Sequence, residues 1–411
     1  MPSRPAAIFA LGLLMATPAM AEGETWRDVG PAEERAFDLE RLDTLTQAYP
    51  DSGTMLRAII ATAHQVGDGD AVRGAFERFA VMGGGLSEGS MTLVSGYFEE
   101  ARWAALTATV ADGQSPVAAS EVVAAVPADI NLVEGVAWDS RRATLYAGSV
   151  VERGLYRLSG ETWERVPLPE NSGSLFGMAY DAGADTLWLV SGAADPTPDP
   201  DTAFRGLIAY SPESRSARML AAPGEGAMSG DIALGQDGSV YVSNSIGGAI
   251  YRCRPGCLAL ETIVEPNRFR SPQGMAVSLD GAWLYVSDYS HGLAAIDLDT
   301  GAIFRVAATA DMLLDGIDGL LPDGGDLIAI RNGSLPMQIM RLQLSEDGLR
   351  VEQATVIERN HPDWGEPTLG AFRGAEFLYV SDAQWERFGA DGAPDPGIAP
   401  RPTPIRSVRL R

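Results

Sequence analysis

One phrase recurs along this chain. It reads EGVAWDSRRATLYAGS from Glu134, FGMAYDAGADTLWLVSG from Phe176, GDIALGQDGSVYVSNS from Gly230 and QGMAVSLDGAWLYVSDY from Gln273. It returns as DGLLPDGGDLIAIRN from Asp318 and, more loosely, as EPTLGAFRGAEFLYVSDA from Glu366. Each copy is a short apolar run, a turn rich in Asp and Gly, and a second apolar run. Asp237-Gly238 and Asp280-Gly281 supply the turn chemistry, so each copy predicts a β-hairpin. The copies start 42, 54, 43, 45 and 48 residues apart. A hairpin repeated about every 40–50 residues predicts radial repetition rather than a sandwich. The expected fold class is therefore all-β, a six-bladed β-propeller preceded by a small α-helical segment.

The segments outside the repeat read differently. Residues 1–21 carry Arg4, an apolar run from Ile8 to Met15 and the small-x-small triplet Ala19-Met20-Ala21, which is the pattern of a signal peptide. Residues 22–115 form an α-helical segment, weakly tetratricopeptide-like. Phe37, Leu39, Leu42, Leu45 and Ala48 recur at helical spacing, as do Met55, Ile59, Ile60 and Ala63, and then Ala71, Ala75, Phe76 and Phe79. Gly67 and the Gly83-Gly84-Gly85 run separate these stretches. So small a unit cannot bury its own apolar face, so it is expected to pack against the propeller of residues 116–411. Val122, Val123 and Val126 are expected to pair with the C-terminal stretch Ile405, Val408 and Leu410 and close the ring, leaving no bare strand edge. The loops 195–201 and 389–404 read as surface insertions.

Composition removes several classes of function. The formal net charge is −24, which disfavours nucleic acid and anionic membrane surfaces. All 31 basic residues are Arg, so no Schiff-base or phosphate-loop lysine exists. No apolar run is long enough to cross a bilayer, so membrane insertion is not expected. The leader points to an exported, periplasmic protein. In that oxidising compartment Cys253 and Cys257, separated by a Pro-Gly turn, predict a small disulfide.

The residue just before the first strand of each copy should stand at the mouth of the central channel. That slot holds Glu134, Phe176, Gly230 (followed by Asp231), Gln273, Asp318 and Glu366. Carboxylates gathered around one axis repel unless a cation sits among them or some are protonated. A hard, oxygen-liganded divalent metal such as Ca²⁺ suits that set.

The repeated Glu-Gly, x-Gly and Asp-Gly pairs resemble the senescence-marker protein/gluconolactonase family and, more distantly, the paraoxonases. The resemblance covers residues 130–385 and not the helical segment. It implies a six-bladed propeller with a divalent metal, often calcium, on the channel axis, and hydrolysis of lactones and related esters. Glu134 in EGVAWD matches the family's metal-binding Glu. Asp318 in IDGL matches its Asp, a ligand that also serves as acid/base group. Gln273 stands where the family has one Asn, and Gly230 where it has another, leaving Asp231 beside it. The resemblance thus implies Glu134, Asp231, Gln273 and Asp318 as ligands, with Glu366 as a further acidic group.

Other residues carry alternatives. His291, after the second strand of the Gln273 copy, is a second candidate base or else an exposed turn histidine. Ser149, Ser191, Ser243, Ser287 and Ser381 recur after the second strand, but none lies in a G-x-S-x-G elbow, so they read as packing or turn residues. Trp385 and Trp364 either line a pocket by stacking or pack a blade. The rival to a hydrolase is a non-catalytic exported propeller that binds a sugar, or a partner protein through the helical segment.

Overall fold

The computed structural model describes residues 23–29, 38–224 and 228–410. The leader expected at residues 1–21, and Phe37 of the first helical stretch, lie outside the described residues. The described chain is mostly β, with five helices leading into a long series of strands.

Strand β1 (Glu121–Val126) precedes the repeats. The first repeat is an antiparallel meander of β2 (Val133–Asp139), β3 (Thr144–Ser149), β4 (Gly154–Ser159) and β5 (Thr162–Val166). The second holds β6 (Ser174–Asp181), β7 (Thr186–Gly192), β8 (Gly206–Ser211) and β9 (Ser216–Ala221). The third holds β10 (Ile232–Leu234), β11 (Val240–Asn244), β12 (Ala249–Cys253) and β13 (Glu261–Val264). An eight-stranded sheet follows. It joins β14 (Pro272–Val277), β15 (Trp283–Asp288), β16 (Gly292–Asp297) and β17 (Ile303–Ala308) to β18 (Ile317–Asp323), β19 (Asp326–Arg331), β20 (Gln338–Leu344) and β21 (Arg350–Arg359). The two halves are hydrogen-bonded to one another through a short parallel pairing of β17 with β21, Ala307 opposite Arg350 and Ala308 opposite Val351.

The last sheet holds β22 (Gly370–Arg373), β23 (Glu376–Val380) and β24 (Thr403–Arg409), with β1 on its outer edge. Glu121 pairs with Ser407 and Val126 with Thr403, so the two ends of the repeat region share one sheet. The first strands of successive meanders are neighbours: β2 with β6, β6 with β10, β10 with β14, and β14 with β18, while β22 returns to β2. These strands surround one axis, and the apolar core lies between adjacent sheets. Ala137 and Leu155 of one sheet, for example, meet Leu175 and Leu187 of the next.

The expected hairpin turns are present. Gly238 and Gly281 take φ of 82° and 73°, which side chains other than glycine's rarely adopt. Asp237 and Asp280 brace those turns by accepting backbone N–H bonds from Ser239 and Ala282, at 2.9 and 3.0 Å. Cys253 and Cys257 form the expected disulfide, with Cα atoms 5.5 Å apart.

The helices are α1 (Leu39–Ala48), α2 (Gly53–Val66), α3 (Gly69–Val81), α4 (Glu88–Ser95) and α5 (Glu100–Gly113). The sequence reading anticipates the first three; α4 and α5 are additional. Gly67 ends α2 in the left-handed conformation, at φ 80°. The helices bury Leu56, Phe76, Phe79, Leu106 and Val110 together, and Leu313 from the β17–β18 loop completes their core. Docking is also polar. Asp315 accepts from the N–H groups of Gly53 (2.9 Å) and Thr54 (2.7 Å), capping α2 from outside the helical segment. Asp51 pairs with Arg305 of β17. Among the described residues no helix is long and apolar enough to cross a membrane.

Candidate functional site

The x-Gly pairs have a physical origin that the structure makes explicit. The register shifts between Val133 and Gly135, Leu175 and Met178, Pro272 and Met275, and Ile317 and Gly319. Strands β2, β6, β14 and β18 thus carry a bulge at their slot residues, where it re-aims the side chain, whereas β10 and β22 pair without one. The glycine that follows is demanded by the neighbouring strand. A Cβ on Gly135 would stand 2.4 Å from the Phe176 carbonyl oxygen, and one on Gly274 2.4 Å from the Leu320 nitrogen. Gly177 is equally constrained, with 2.6 Å to the Asp231 Cα. Close approach of the inner strands and display of a side chain at the axis are therefore one local device.

That device, with the loops around it, brings Glu134, Asp231, Gln273, Asp318 and Glu366 to the wall of one cavity of about 280 Å³. Glu134, Asp231 and Asp318 are each only 8 % exposed. Gln273 and Glu366 are half-buried. Among the described residues no Arg or His lines this cavity. Burial, and then the charge of Asp318, push Glu134 well above the usual carboxylate range, against the indole bond from Trp385. Burial pushes Asp231 up to about 8, although the Ile232 N–H opposes it. Glu366 is pushed up to about 7 by burial and then by Asp318. Asp318 is itself raised by burial, with the Asn332 amide opposing. Four carboxylates therefore share a poorly solvated space with no cationic side chain facing them.

Further side chains line the cavity, among them Trp385, for which the sequence left pocket lining and blade packing open. Trp385 donates from Nε1 to Glu134 Oε2 at 2.6 Å. Asn332 donates from Nδ2 to Asp318 Oδ2 at 3.0 Å and to the Pro367 carbonyl at 2.9 Å. Tyr289 donates in turn to Asn332 Oδ1 at 2.8 Å. Tyr289 and Asn332 follow second strands, whose ends lie beside the starts of the first strands in an antiparallel hairpin. That adjacency is the signal that points to them.

His291 is placed elsewhere. It lies in the turn after Asp288, where the chain leaves the axis and passes beneath the helices. The imidazole is buried, not an exposed turn histidine, with Nδ1 2.9 Å from Asp288 Oδ1 and its ring against Tyr49. It lines a different cavity, with Arg41 and Met55. The recurring serines are fully buried stitches between strands. Ser243 donates to the Gln273 carbonyl at 2.8 Å and Ser287 to the Ile317 carbonyl at 2.7 Å.

The donor chemistry of the axial set, carboxylate and amide oxygens that are buried and lack a counter-ion, fits a hard cation. Among the described residues, however, no group of three His, Cys, Asp or Glu side chains is close enough together to hold a metal ion. The set surrounds the cavity, and binding requires side chains to converge.

No family model matches this chain, and no curated protein does. Solved structures that align with it include the calcium-binding protein regucalcin from Agrobacterium tumefaciens, 17 % identical with a TM-score of 0.48, covering 70 % of this chain and 93 % of that one. A gluconolactonase from Xanthomonas campestris is 16 % identical at a TM-score of 0.47, covering 72 % and 100 %. A luciferin-regenerating enzyme is 16 % identical at a TM-score of 0.49, covering 72 % and 96 %. The neighbours are thus regucalcin- and gluconolactonase-like proteins; at these identities and scores the likeness says nothing about the reaction.

Proposed function

We propose that the successive meanders are the blades of a six-bladed β-propeller, and that the protein is an exported, periplasmic hydrolase of a lactone or related ester. Its active site is the acidic cavity at one end of the axial channel. The observation that carries this reading is the set of four carboxylates, each raised chiefly by burial, around one cavity that no basic side chain lines among the described residues. Such perturbed clusters mark functional sites because folding alone gains nothing from them.

Glu134, Asp231, Gln273 and Asp318 would hold a divalent cation, Ca²⁺, with Glu366 as a fifth group. A bound cation supplies positive charge against a substrate carbonyl and the oxyanion that develops from it. Asp318 is the general base. Its Oδ2 is held by Asn332, and its raised basicity suits proton removal from an attacking water near neutral pH. Trp385 fixes one oxygen of Glu134 and offers an aromatic wall. Phe176 and Leu369 add apolar surface that excludes bulk water around a ring substrate.

Calorimetric titration of Ca²⁺ into chelator-treated protein, beside Glu134→Gln, tests the cation. Stoichiometric binding that the variant loses, followed by lactone turnover that Asp318→Asn abolishes, is the expected result. Absence of Ca²⁺ binding removes the metal-dependent hydrolase. The second reading, a propeller that recognises a sugar or protein partner without catalysis, is favoured by the absence of a pre-converged ligand triad among the described residues. Cation binding without turnover of any lactone or ester would support it.

A further inference from the structure

The carboxylate cavity occupies one end of the axial channel, and the same strands build a second chamber at the other. Beyond the bulges the inner strands resume their alternation, so side chains two apart line one side of the channel further along. Met178 and Tyr180 of β6, Met275 and Val277 of β14, and Leu320 and Pro322 of β18 stand there. These residues line a distinct cavity of about 250 Å³, and Trp138 and Phe372 complete its walls. Asp231 alone lines both cavities.

The side chains that line the two chambers differ in kind. The first holds four carboxylates. The second is walled by thioethers, branched aliphatics and three aromatic rings, and among the described residues Asp231 is its sole charged lining group. An open apolar space of this kind leaves its lining atoms without packing partners, which a well-packed interior does not do. Apolar cavities of about 150 Å³ already bind benzene. Here the volume suits a larger occupant, and the Trp138, Tyr180 and Phe372 rings favour a flat one. Among the described residues no basic side chain lines the chamber, and the Arg373 guanidinium lies over the Trp138 ring, 5.6 Å from its centroid.

We propose that this chamber is a binding site for a neutral, flat, apolar molecule of about two fused rings, entered from the face opposite the carboxylates. The site does not depend on the proposed cation or on hydrolysis.

Naphthalene is the probe. It is titrated into the wild-type protein while methionine methyl resonances are followed by NMR, with Met178 and Met275 assigned through Met178→Leu and Met275→Leu. Saturable ring-current shifts of both methyls, retained after chelation and in Glu134→Gln, are the expected result. In calorimetry, Ala371→Phe, which fills the chamber from β22, should weaken naphthalene at least tenfold. Unmoved methyls in the wild-type protein overturn the proposal without any variant needing to fold. Binding that Glu134→Gln abolishes also overturns it, because naphthalene then occupies the acidic cavity. Equal affinity in a folded Ala371→Phe protein does the same.

Discussion

Two regions of this molecule bury acids, and they differ in whether a cation faces them, although burial raises Asp51 even beside Arg305. Where the helices dock, Asp315 is fully buried and receives the Gly53 and Thr54 N–H groups and the Thr54 hydroxyl, at 2.6–2.9 Å. Asp51 faces the Arg305 guanidinium, and Asp288 faces His291. Burial alone would raise Asp288, but the His291 charge and several backbone N–H donors outweigh it and hold the group below the usual range. At the axis, Glu134, Asp231, Asp318 and Glu366 face chiefly one another, and all four are raised. Acids that hold the fold together are matched by donors and cations. The axial acids receive neutral donors, Trp385 on Glu134 and Asn332 on Asp318, but no cationic side chain lines their cavity among the described residues.

The largest effect should come from breaking a matched pair. Asp51→Ala removes the buried partner of the Arg305 guanidinium, which is 6 % exposed, and leaves it only the exposed Glu24 carboxylate; it is expected to cost up to about 3–5 kcal/mol in urea denaturation. Asp231→Asn, at comparable burial, should instead stabilise the chelator-treated protein. Equal destabilisation by both substitutions would erase the distinction and make the axial acids structural.

The pH dependence sharpens the contrast. Asp231 and Glu366 bind protons more tightly in the folded protein, at about 8 and about 7 against ordinary values of 3.8 and 4.5. Between those limits the folded state carries more protons than the unfolded state, so stability falls as pH rises. Chelator-treated protein should therefore lose a few kcal/mol from about pH 4 to about pH 8. Thermal melts across that range check it. Asp231→Asn should flatten the decline, and Ca²⁺ at a hundredfold its dissociation constant should restore about 2.7 kcal/mol. A melting temperature that rises from pH 4 to 8 without cation would contradict the raised carboxylates.

The same contrast shows which parts of the molecule can be read from residues alone. Hairpins are legible because their turns need Asp and Gly at set places and their strands alternate with period two. The pairing of Val122 and Val126 with the C-terminal stretch is legible because two orphan β runs at the chain ends have no other partner. The x-Gly pairs are visible as a pattern, but their cause is not. Gly135 is dictated by a carbonyl 41 residues away, at Phe176. Helices α4 and α5 are harder to see because little of each is buried, Val94 in one and Leu106 and Val110 in the other. His291 misleads for a related reason. Its place in the repeat is near the axis, but the turn at Tyr289 and Ser290 carries it outward against Tyr49, a contact set by the docked helices. Trp385 belongs to a short turn, Trp385–Arg387, whose path no periodicity describes.

Trp385 is therefore the residue through which the axial region can be tuned without removing an acid. Trp385→Phe keeps an aromatic wall and deletes one N–H bond to Glu134. A hydrogen bond to a charged group contributes about 1.5–3 kcal/mol. That bond favours ionised Glu134, so its loss should weaken Ca²⁺ about tenfold or more in calorimetry. An unchanged affinity would mean that Glu134 is not a ligand, or that its other oxygen alone serves.

The smallest effect concerns reach. Gln273 carries an amide where the similar family carries the shorter Asn, and its Nε2 lies 3.3 Å from Ser271 Oγ. Holding a longer side chain against a cation costs more rotamer freedom, about 0.5–1 kcal/mol between Gln and Asn. Gln273→Asn should therefore tighten Ca²⁺ a few-fold, if the amide oxygen still reaches the axis. Weakening would show the opposite: that in a set surrounding its cavity, with no converged triad among the described residues, the extra methylene brings the oxygen inward. The sign of this small change reports how far the axial ligands must travel, a question that does not arise for the matched acids beneath the helices.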